Sequence, residues 1–301
     1  MNKNSNCFVK EPSSVWGGSW TESKLEAFSK YVAAYLNILR KHPQWQTIYF
    51  DGFAGSGSKE SDEKNEIYEQ LTITEEEESV YKGSAERILS FPNNLSFDWY
   101  YFIDTKEESL RKLENKLSEY QKIKKNTFQF KTGDCNKWVL ELSKTMKNNE
   151  KFAALVFLDP FGMQIKWESI QSLKNTRTDI WILVPTGVIV NRLLDRNGEL
   201  KCSAKLQSFF GLSEEEIRKE FYEKNPQLTL FGDVETTMKI SKPIEKIANL
   251  YSKRLKTIWE NVVESPLVLK NSKNVPIFHL VFASNNPTAV KIAKDIIKRA
   301  H

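Results

Sequence analysis

Four short apolar runs, each followed closely by an aspartate, constrain the fold of this chain more than any other feature. The runs are Gln46 to Phe50, Phe97 to Ile103, Thr127 to Lys131 and Ala153 to Leu158, and the aspartates are Asp51, Asp104, Asp134 and Asp159. Nearly continuous apolar runs are typical of strands covered on both faces, and helical stretches lie between most of them. The alternation predicts an α/β fold with a doubly wound, mostly parallel sheet.

Further elements extend the pattern at both ends. Thr21 to Arg40 places apolar residues on one helical stripe with Thr21 as N-cap, so an amphipathic helix precedes the first strand. Strands are also expected at Ile180 to Val184 and Phe278 to Ala283, with helical signals between them. The predicted divisions are 1–198 for the N-terminal helix and the main part of the sheet domain, 199–262 for a helical insertion, and 263–301 for strands and a helix that complete the sheet.

Composition argues against several classes of protein. The chain has 301 residues, 40% of them hydrophobic, and a formal net charge of +5, which is too even to require a nucleic acid partner. Its cysteines, Cys7, Cys135 and Cys202, form no CxxC pair, so a zinc site is not expected. Without a signal-peptide pattern or a run of about 18 apolar residues, the chain is predicted to be cytoplasmic and not to cross a membrane. The acidic segment 59–80 is interpreted as a surface excursion.

The glycine-rich loop Asp51 to Gly57, which reads D-G-F-A-G-S-G, is the first candidate binding element. A glycine-rich turn after the first strand of an open α/β sheet lets a ligand approach the backbone closely. A dinucleotide site would need a third glycine where Glu60 stands, and a P-loop would need Lys before Ser where the chain has Ser58 and Lys59. The third candidate ligand is S-adenosylmethionine, which carries no phosphate.

S-adenosylmethionine needs carboxylates for its ammonium group and its ribose hydroxyls, and the strand ends supply them. Asp104 ends the second strand, where mononucleotide-binding halves carry the acid that binds ribose. Asp51 and Asp134 lie at the ends of the first and third strands. Each aspartate alone would be interpreted as a turn residue or a helix N-cap, but three at successive strand ends favour a binding site.

Asp159 and Pro160 follow the fourth strand in the stretch F-L-D-P-F-G. The carboxylate and the proline carbonyl can both accept hydrogen bonds at the strand tip. Two acceptors at one point suit an amino group with two protons to donate. The same stretch is also typical of a tight turn, so both interpretations stay open.

The motifs D-G-F-A-G-S-G, F-I-D, G-D and F-L-D-P-F-G, in this order, resemble those of the three-Cys-motif partner protein family (TcmP). This bacterial group is similar to class I S-adenosylmethionine-dependent methyltransferases. The resemblance extends to Gly83–Ala85, Phe209–Gly211 and the region of His279 to Asn285, and it covers most of the chain from about Lys24 onward. It implies a Rossmann-like sheet of seven strands with helices on both faces.

The resemblance also implies a site. The cofactor would lie over the glycine loop, with its ribose near Asp104 and its adenine near Asp134 and Cys135. The implied cofactor-binding residues are Asp51, Gly52, Phe53, Gly55, Ser56, Gly57, Asp104, Asp134 and Cys135. In the implied catalytic set, Asp159 and the Pro160 carbonyl accept the hydrogens of the acceptor amine, and Phe161 holds the plane of the acceptor.

Two functions are expected from this resemblance. The first is a methyltransferase for an amino group of a base in RNA or DNA, single-stranded or flipped out. The family's relatives that modify bases have a second proline before the aromatic residue, and that proline is absent here. Two alternatives to stacking by Phe161 stay open: the acceptor is not a base, or another aromatic residue such as Trp167 stacks on it. The second is a non-catalytic or conditionally active subunit of a bacterial complex with a three-Cys-motif partner protein.

Candidate phosphate contacts are Lys122, Lys124, Lys125, Lys131 and the basic stretch 291–300.

Overall fold

The computed structural model describes residues 19–55, 83–124, 126–160, 162–196, 198–229 and 232–300. Its strands are β1 Gln46–Asp51, β2 Trp99–Asp104, β3 Thr127–Thr132, β4 Phe152–Leu158, β5 Thr178–Val184, β6 Tyr222–Thr229, β7 Gly232–Lys239, β8 Asn261–Val262, β9 Leu267–Lys270 and β10 Pro276–Ser284. Its α-helices of a full turn or more are α1 Ser19–Leu39, α2 Ser84–Leu89, α3 Glu107–Ile123, α4 Cys135–Asn148, α5 Trp167–Ser172, α6 Ser203–Phe210, α7 Glu214–Phe221, α8 Pro243–Leu255 and α9 Pro287–Arg299. A π-helical turn, Thr186–Val190, follows β5.

The central sheet confirms the expected α/β class with a largely parallel sheet. Its strand order is β3-β2-β1-β4-β5-β10-β8, with β9 also paired to β10. Strands β1 to β5 pair in parallel, whereas β10 is antiparallel to β5, β8 and β9. The six strands predicted from apolar runs all form, with boundaries shifted by one or two residues.

The expectation of seven strands is wrong, because the described residues place eight in this sheet. The difference lies on one edge of β10, which two short strands share: β9 pairs around Phe278 to Leu280, and β8 pairs with Ala283 and Ser284. The predicted insertion at 199–262 is also not purely helical. Strands β6 and β7 form a separate antiparallel hairpin between α7 and α8.

Helix α1 lies against the sheet through its aromatic and aliphatic stripe. Phe28 stacks on Phe157 of β4 with ring centroids 4.0 Å apart, and Tyr31 donates a hydrogen bond from its hydroxyl to Asp179 of β5 at 2.6 Å. Both Phe28 and Phe157 are fully buried. These contacts fix where the first turn of α1 lies relative to the carboxyl end of β4.

Candidate functional site

The order of the parallel strands identifies the place where a ligand would bind. The chain runs outward from β1 to β2 and β3, then returns to the other side of β1 to add β4 and β5. Open α/β sheets bind ligands in the crevice beyond the carboxyl ends of the strands at such a reversal. Here the reversal lies between β1 and β4. Asp51 ends β1, and Asp159 comes directly after Leu158, the last residue of β4.

Gly52 makes close contact with side chains of the protein itself. Its N–H donates to the carbonyl of Phe157 on β4 at 3.0 Å. A Cβ at this position would lie 2.5 Å from Sγ of Cys135 and 2.6 Å from Cδ2 of Leu158. The absence of a side chain at Gly52 therefore serves the packing of α4 and β4 against the loop.

Gly55 differs from Gly52 in both conformation and surroundings. Its φ is +59°, and a Cβ there would meet no atom of the described residues within 4 Å. The left-handed conformation favours glycine. Its N–H donates to Oδ2 of Asp104 at 3.1 Å, and the N–H of Ala54 donates to the carbonyl of Ile103 at 2.9 Å. The loop is thus tied to the end of β2, and none of the described residues fills the space beside Gly55.

Asp51 is fully buried and accepts three hydrogen bonds from its own protein. Oδ2 accepts from the hydroxyls of Ser84 at 2.7 Å and Tyr49 at 3.0 Å, and Oδ1 accepts from the N–H of Phe53 at 3.2 Å. Burial raises the pKa of this carboxyl to about 6, although all three hydrogen bonds act in the opposite direction. Asp51 therefore anchors the loop and the start of α2.

Asp104 is half-buried at the end of β2. In addition to the Gly55 contact, its Oδ1 accepts from the N–H of Lys106 at 2.7 Å. Burial raises its pKa, and the two backbone hydrogen bonds oppose that shift. Each carboxylate oxygen retains acceptor capacity, because a carboxylate offers about four lone-pair sites. The geometry is compatible with hydroxyl groups as additional donors.

Asp134 is exposed and serves as the N-cap of α4, where Oδ1 accepts from the N–H of Asn136 at 2.9 Å. The amide of Asn136 donates to the carbonyl of Gln164 at 2.8 Å and accepts from the N–H of Lys166 at 2.8 Å. These bonds tie the start of α4 to the segment after β4. Cys135 is buried beneath Gly52, and burial raises the pKa of its thiol well above the usual value.

Lys24 is a member of the site that the sequence patterns did not reveal. This lysine lies in α1, is 0% exposed, and forms an ion pair through Nζ with Oδ2 of Asp159. Burial lowers the pKa of Lys24 and raises that of Asp159, and the attraction between the two groups opposes both shifts. Oδ1 of Asp159 is buried and accepts no hydrogen bond from the part of the chain that the structure describes.

Other predicted residues lie elsewhere. Trp167 was the alternative stacking residue, and that expectation is wrong because the residue is 3% exposed. Its ring meets Tyr251 edge-on at 5.9 Å, lies under the guanidinium of Arg254 at 4.6 Å, and leaves no room for a Cβ at Gly211. The indole therefore packs α5 onto α6 and α8. The positions of Ser56, Gly57, Phe161, Lys125 and the acidic segment 59–80 lie outside the described residues.

Three of the lysines proposed for phosphate contact have partners within the protein. Lys124 is 4% exposed and donates from Nζ to the carbonyl of Phe91 at 3.0 Å. Lys122 pairs with Glu119 at 2.7 Å. Lys131 lies 5.8 Å from the ring centroid of Trp138. Lys124 is therefore not a surface contact for phosphate, while Lys122 and Lys131 keep surface positions.

The described ranges contain no group of three or more His, Cys, Asp or Glu side chains placed to hold a metal ion. No helix in that part of the chain has both the length and the apolar character needed to cross a bilayer.

Comparison with known proteins gives a structural likeness but no match of sequence. No family model matches the chain, and no curated protein matches it. Among solved structures, protein LPL1258 from Legionella pneumophila str. Philadelphia 1, of family model DUF519, is similar to it at a TM-score of 0.37 and 14% identity. The match covers 78% of this chain and 92% of that one. A likeness this low carries no argument about function, so the site has to be interpreted from its own chemistry.

Proposed function

We propose that this chain is an S-adenosylmethionine-dependent methyltransferase that acts on an amino group of a nucleic acid base. The observation that carries the proposal concerns Oδ1 of Asp159, which lies where the strand order reverses. This oxygen is buried and accepts no hydrogen bond from the described residues. A buried carboxylate oxygen without a donor is costly, and an N–H of a bound acceptor would satisfy it. The order 3-2-1-4-5 of the parallel strands is that of Rossmann-like nucleotide-binding sheets, which supports a nucleoside cofactor.

The residues present fit such a cofactor. Gly55 offers open space beside a left-handed backbone, and Asp104 presents a half-buried carboxylate with acceptor capacity left for ribose hydroxyls. Asp51 adds buried negative charge that would attract the ammonium of the methionine part. The order of these motifs, and their resemblance to the three-Cys-motif partner family, agree with this assignment.

The role of the protein in methyl transfer is mainly to place the amine. When bound, the cofactor supplies a methyl group on a positively charged sulfur. In the transfer, the lone pair of the amine would form the new N–C bond as the C–S bond of the cofactor breaks, with the electron pair of that bond left on sulfur. Asp159 Oδ1 would accept one hydrogen of the amine, orient its lone pair and favour the developing ammonium, whose proton then passes through Asp159 to solvent.

A base is the proposed carrier of the amine because its exocyclic amino group offers two N–H donors to one acceptor point. Such a base would have to be single-stranded or flipped out, since a stacked base cannot enter a buried strand end. Trp167 does not stack on it, because that ring is enclosed by α6 and α8.

A second function has one observation in its favour. Oδ2 of Asp159 is engaged by Lys24, and the space at Gly52 is filled by Cys135 and Leu158. These contacts would also suit a subunit that keeps the fold for binding another protein, such as a three-Cys-motif partner, without catalysis. The open position at Gly55 and the orphan oxygen of Asp159 have no use in such a subunit, so the methyltransferase is preferred.

Calorimetric titration of the purified protein with S-adenosylmethionine tests the proposal. We expect binding by the parent and at least about tenfold weaker binding by Asp104→Ala, which loses a charged acceptor. Asp295→Asn, which removes an exposed aspartate on α9, is the matched control and should bind like the parent. Transfer of labelled methyl to single-stranded RNA and DNA would then identify the acceptor. A folded parent that does not bind the cofactor would favour the non-catalytic subunit.

A further inference from the structure

The Lys24–Asp159 ion pair follows from the way α1 is placed on β4. Phe28 stacks on Phe157, and Lys24 lies four residues before Phe28, about 6 Å along the helix axis. Asp159 lies two residues after Phe157 on the same face of the chain, at about 6.6 Å along the strand direction. Helix α1 and strand β4 run in opposite directions, so these two offsets bring Nζ and Oδ2 together. The packing of α1 against β4 therefore brings Lys24 and Asp159 into contact.

Because of the ion pair, the two carboxylate oxygens of Asp159 have different surroundings. Oδ2 is bonded to Lys24, and Oδ1 is buried with no donor. The residue is 8% exposed, so its remaining access is narrow. The other titratable groups that face the pair are Asp51 and Tyr49 of β1, and Cys135 of α4 lies next to Asp51. Lys24 is the positive group acting on Asp159.

We propose that Lys24 is a positioning residue for the acceptor: by holding Oδ2 it fixes the carboxylate of Asp159 in its ionised form and leaves Oδ1 as the single oxygen that receives the amine. This inference rests on the proposed function and extends it to a residue of the N-terminal helix. The positively charged neighbour does not touch the acceptor; it acts through Asp159.

Removal of the lysine charge has a specific chemical consequence. Without Lys24, burial alone governs Asp159, and a buried carboxyl without a counter-ion takes up a proton. A protonated carboxyl is free to turn, and it gives up the charge that attracts an amine. We expect a higher pH to restore the attraction for an amine, because ionisation of Asp159 restores the carboxylate that accepts the hydrogen bond. A role in packing alone would produce no such pH dependence.

The test uses two cofactor analogues and needs no knowledge of the acceptor. Sinefungin carries an amine in place of the sulfonium methyl, whereas S-adenosylhomocysteine carries neither. The ratio of their affinities therefore reports how well the protein receives an amine at this position. It is measured by calorimetry between pH 6 and pH 9 for the parent and for Lys24→Met, Asp159→Asn, the double variant and Lys30→Met. Lys30 is an exposed lysine of the same helix, paired with Glu26, and serves as the matched control.

We expect the parent and Lys30→Met to prefer sinefungin. Asp159→Asn should lower the preference by at least about tenfold at every pH. Lys24→Met should lower the preference for sinefungin by a similar factor at pH 6. As the pH rises toward 9, the preference of this variant should approach that of the parent at the same pH. The double variant, which buries no charge, should behave like Asp159→Asn, because Lys24 acts through Asp159. If Lys24→Met alone does not fold, a preference in the double variant clearly below that of Asp159→Asn would overturn this role of Lys24.

Three results would overturn the inference. A preference in Asp159→Asn equal to that of the parent would show that Oδ1 does not receive the amine. A preference in Lys24→Met that equals the parent's, or that is low at every pH, would leave Lys24 with a structural role alone. In both cases retained binding of S-adenosylhomocysteine keeps the proposed function intact. If the folded parent binds neither analogue, the proposed function fails and the inference fails with it.

Discussion

Gly55 donates its N–H to Oδ2 of Asp104 at 3.1 Å, so the open part of the glycine loop is held by the carboxylate that the sequence assigns to ribose. One side chain thus positions the loop and, in the proposed function, would also present acceptors to the cofactor. The two roles can be separated by experiment, because the first affects the free protein and the second affects binding.

We expect Asp104→Ala to loosen the loop before any ligand is added. The variant loses hydrogen bonds from the N–H groups of Gly55 and Lys106 to a charged oxygen, which together should stabilise the fold by about 1–3 kcal/mol. Amide exchange at Gly55 should become faster than in the parent, and exchange at Gly133 should change little. Equal exchange rates at Gly55 in both proteins would contradict the anchoring role.

Gly52→Ala is expected to destabilise the protein through contact with Cys135 and Leu158, since the added Cβ would lie 2.5 Å and 2.6 Å from their atoms. Overpacking of this kind costs about 1–3 kcal/mol. Urea unfolding should show that Cys135→Ala, in the Gly52→Ala background, restores part of the loss, with a coupling above about 0.5 kcal/mol. Additive effects of the two substitutions would mean that the crowding at Cys135 is not the cause.

Lys24→Met is expected to cost about 3–5 kcal/mol of unfolding free energy at neutral pH, because it leaves the buried carboxylate of Asp159 without its counter-ion. Addition of Asp159→Asn should recover a large part of this loss, since the double variant buries no charge. Lys30→Met should change stability by less than about 0.5 kcal/mol. Denaturant unfolding of the parent and the three variants measures these differences in unfolding free energy. A double variant less stable than Lys24→Met would argue against charge burial as the cause.

Asp51 should make the protein less stable as the pH rises. Its pKa is about 6 in the folded state against an ordinary value of 3.8, so between these values the folded state holds a proton that the unfolded state has lost. Stability contributed by this group is therefore full below about pH 4 and is lost as the pH rises through 6. The difference in unfolding free energy between Asp51→Asn and the parent should shift by roughly 2 kcal/mol in favour of the variant between pH 4 and pH 7. A shift of opposite sign would mean that the hydrogen bonds outweigh burial.

Much of the fold could be predicted because it is encoded locally. The apolar runs are strands covered on both faces, and Asp51 and Asp104 end theirs because a carboxylate is tolerated only where the sheet meets the loop layer. The antiparallel β6–β7 hairpin and the division of one edge of β10 between β8 and β9 were missed. Their sequences show no clean alternation, and two- to four-residue strands form only because β10 offers an edge.

The candidate site was harder to predict, since its contacts join residues far apart in the chain. Lys24 is 135 residues from Asp159, and the only sequence signal was its place on the buried stripe of α1, at helical spacing from Thr21 and Phe28. The filling of the Gly52 position by Cys135 depends on how α4 packs, which periodicity does not specify. Trp167 was a reasonable stacking candidate by spacing, but Gly211 and Arg254 enclose it.

The position of β10 has a consequence for how the chain becomes a folded protein. This strand comes after all the others in sequence, yet it lies inside the sheet between β5 and the short strands β8 and β9. Until residues 276–284 are available, β5 has an unpaired edge whose side chains are almost all apolar and buried in the finished fold. Exposed edges of this kind pair readily with other chains. The nascent protein is therefore most prone to aggregation after β5 has been made and before β10 has been made, and the pairing of β10 ends that exposure.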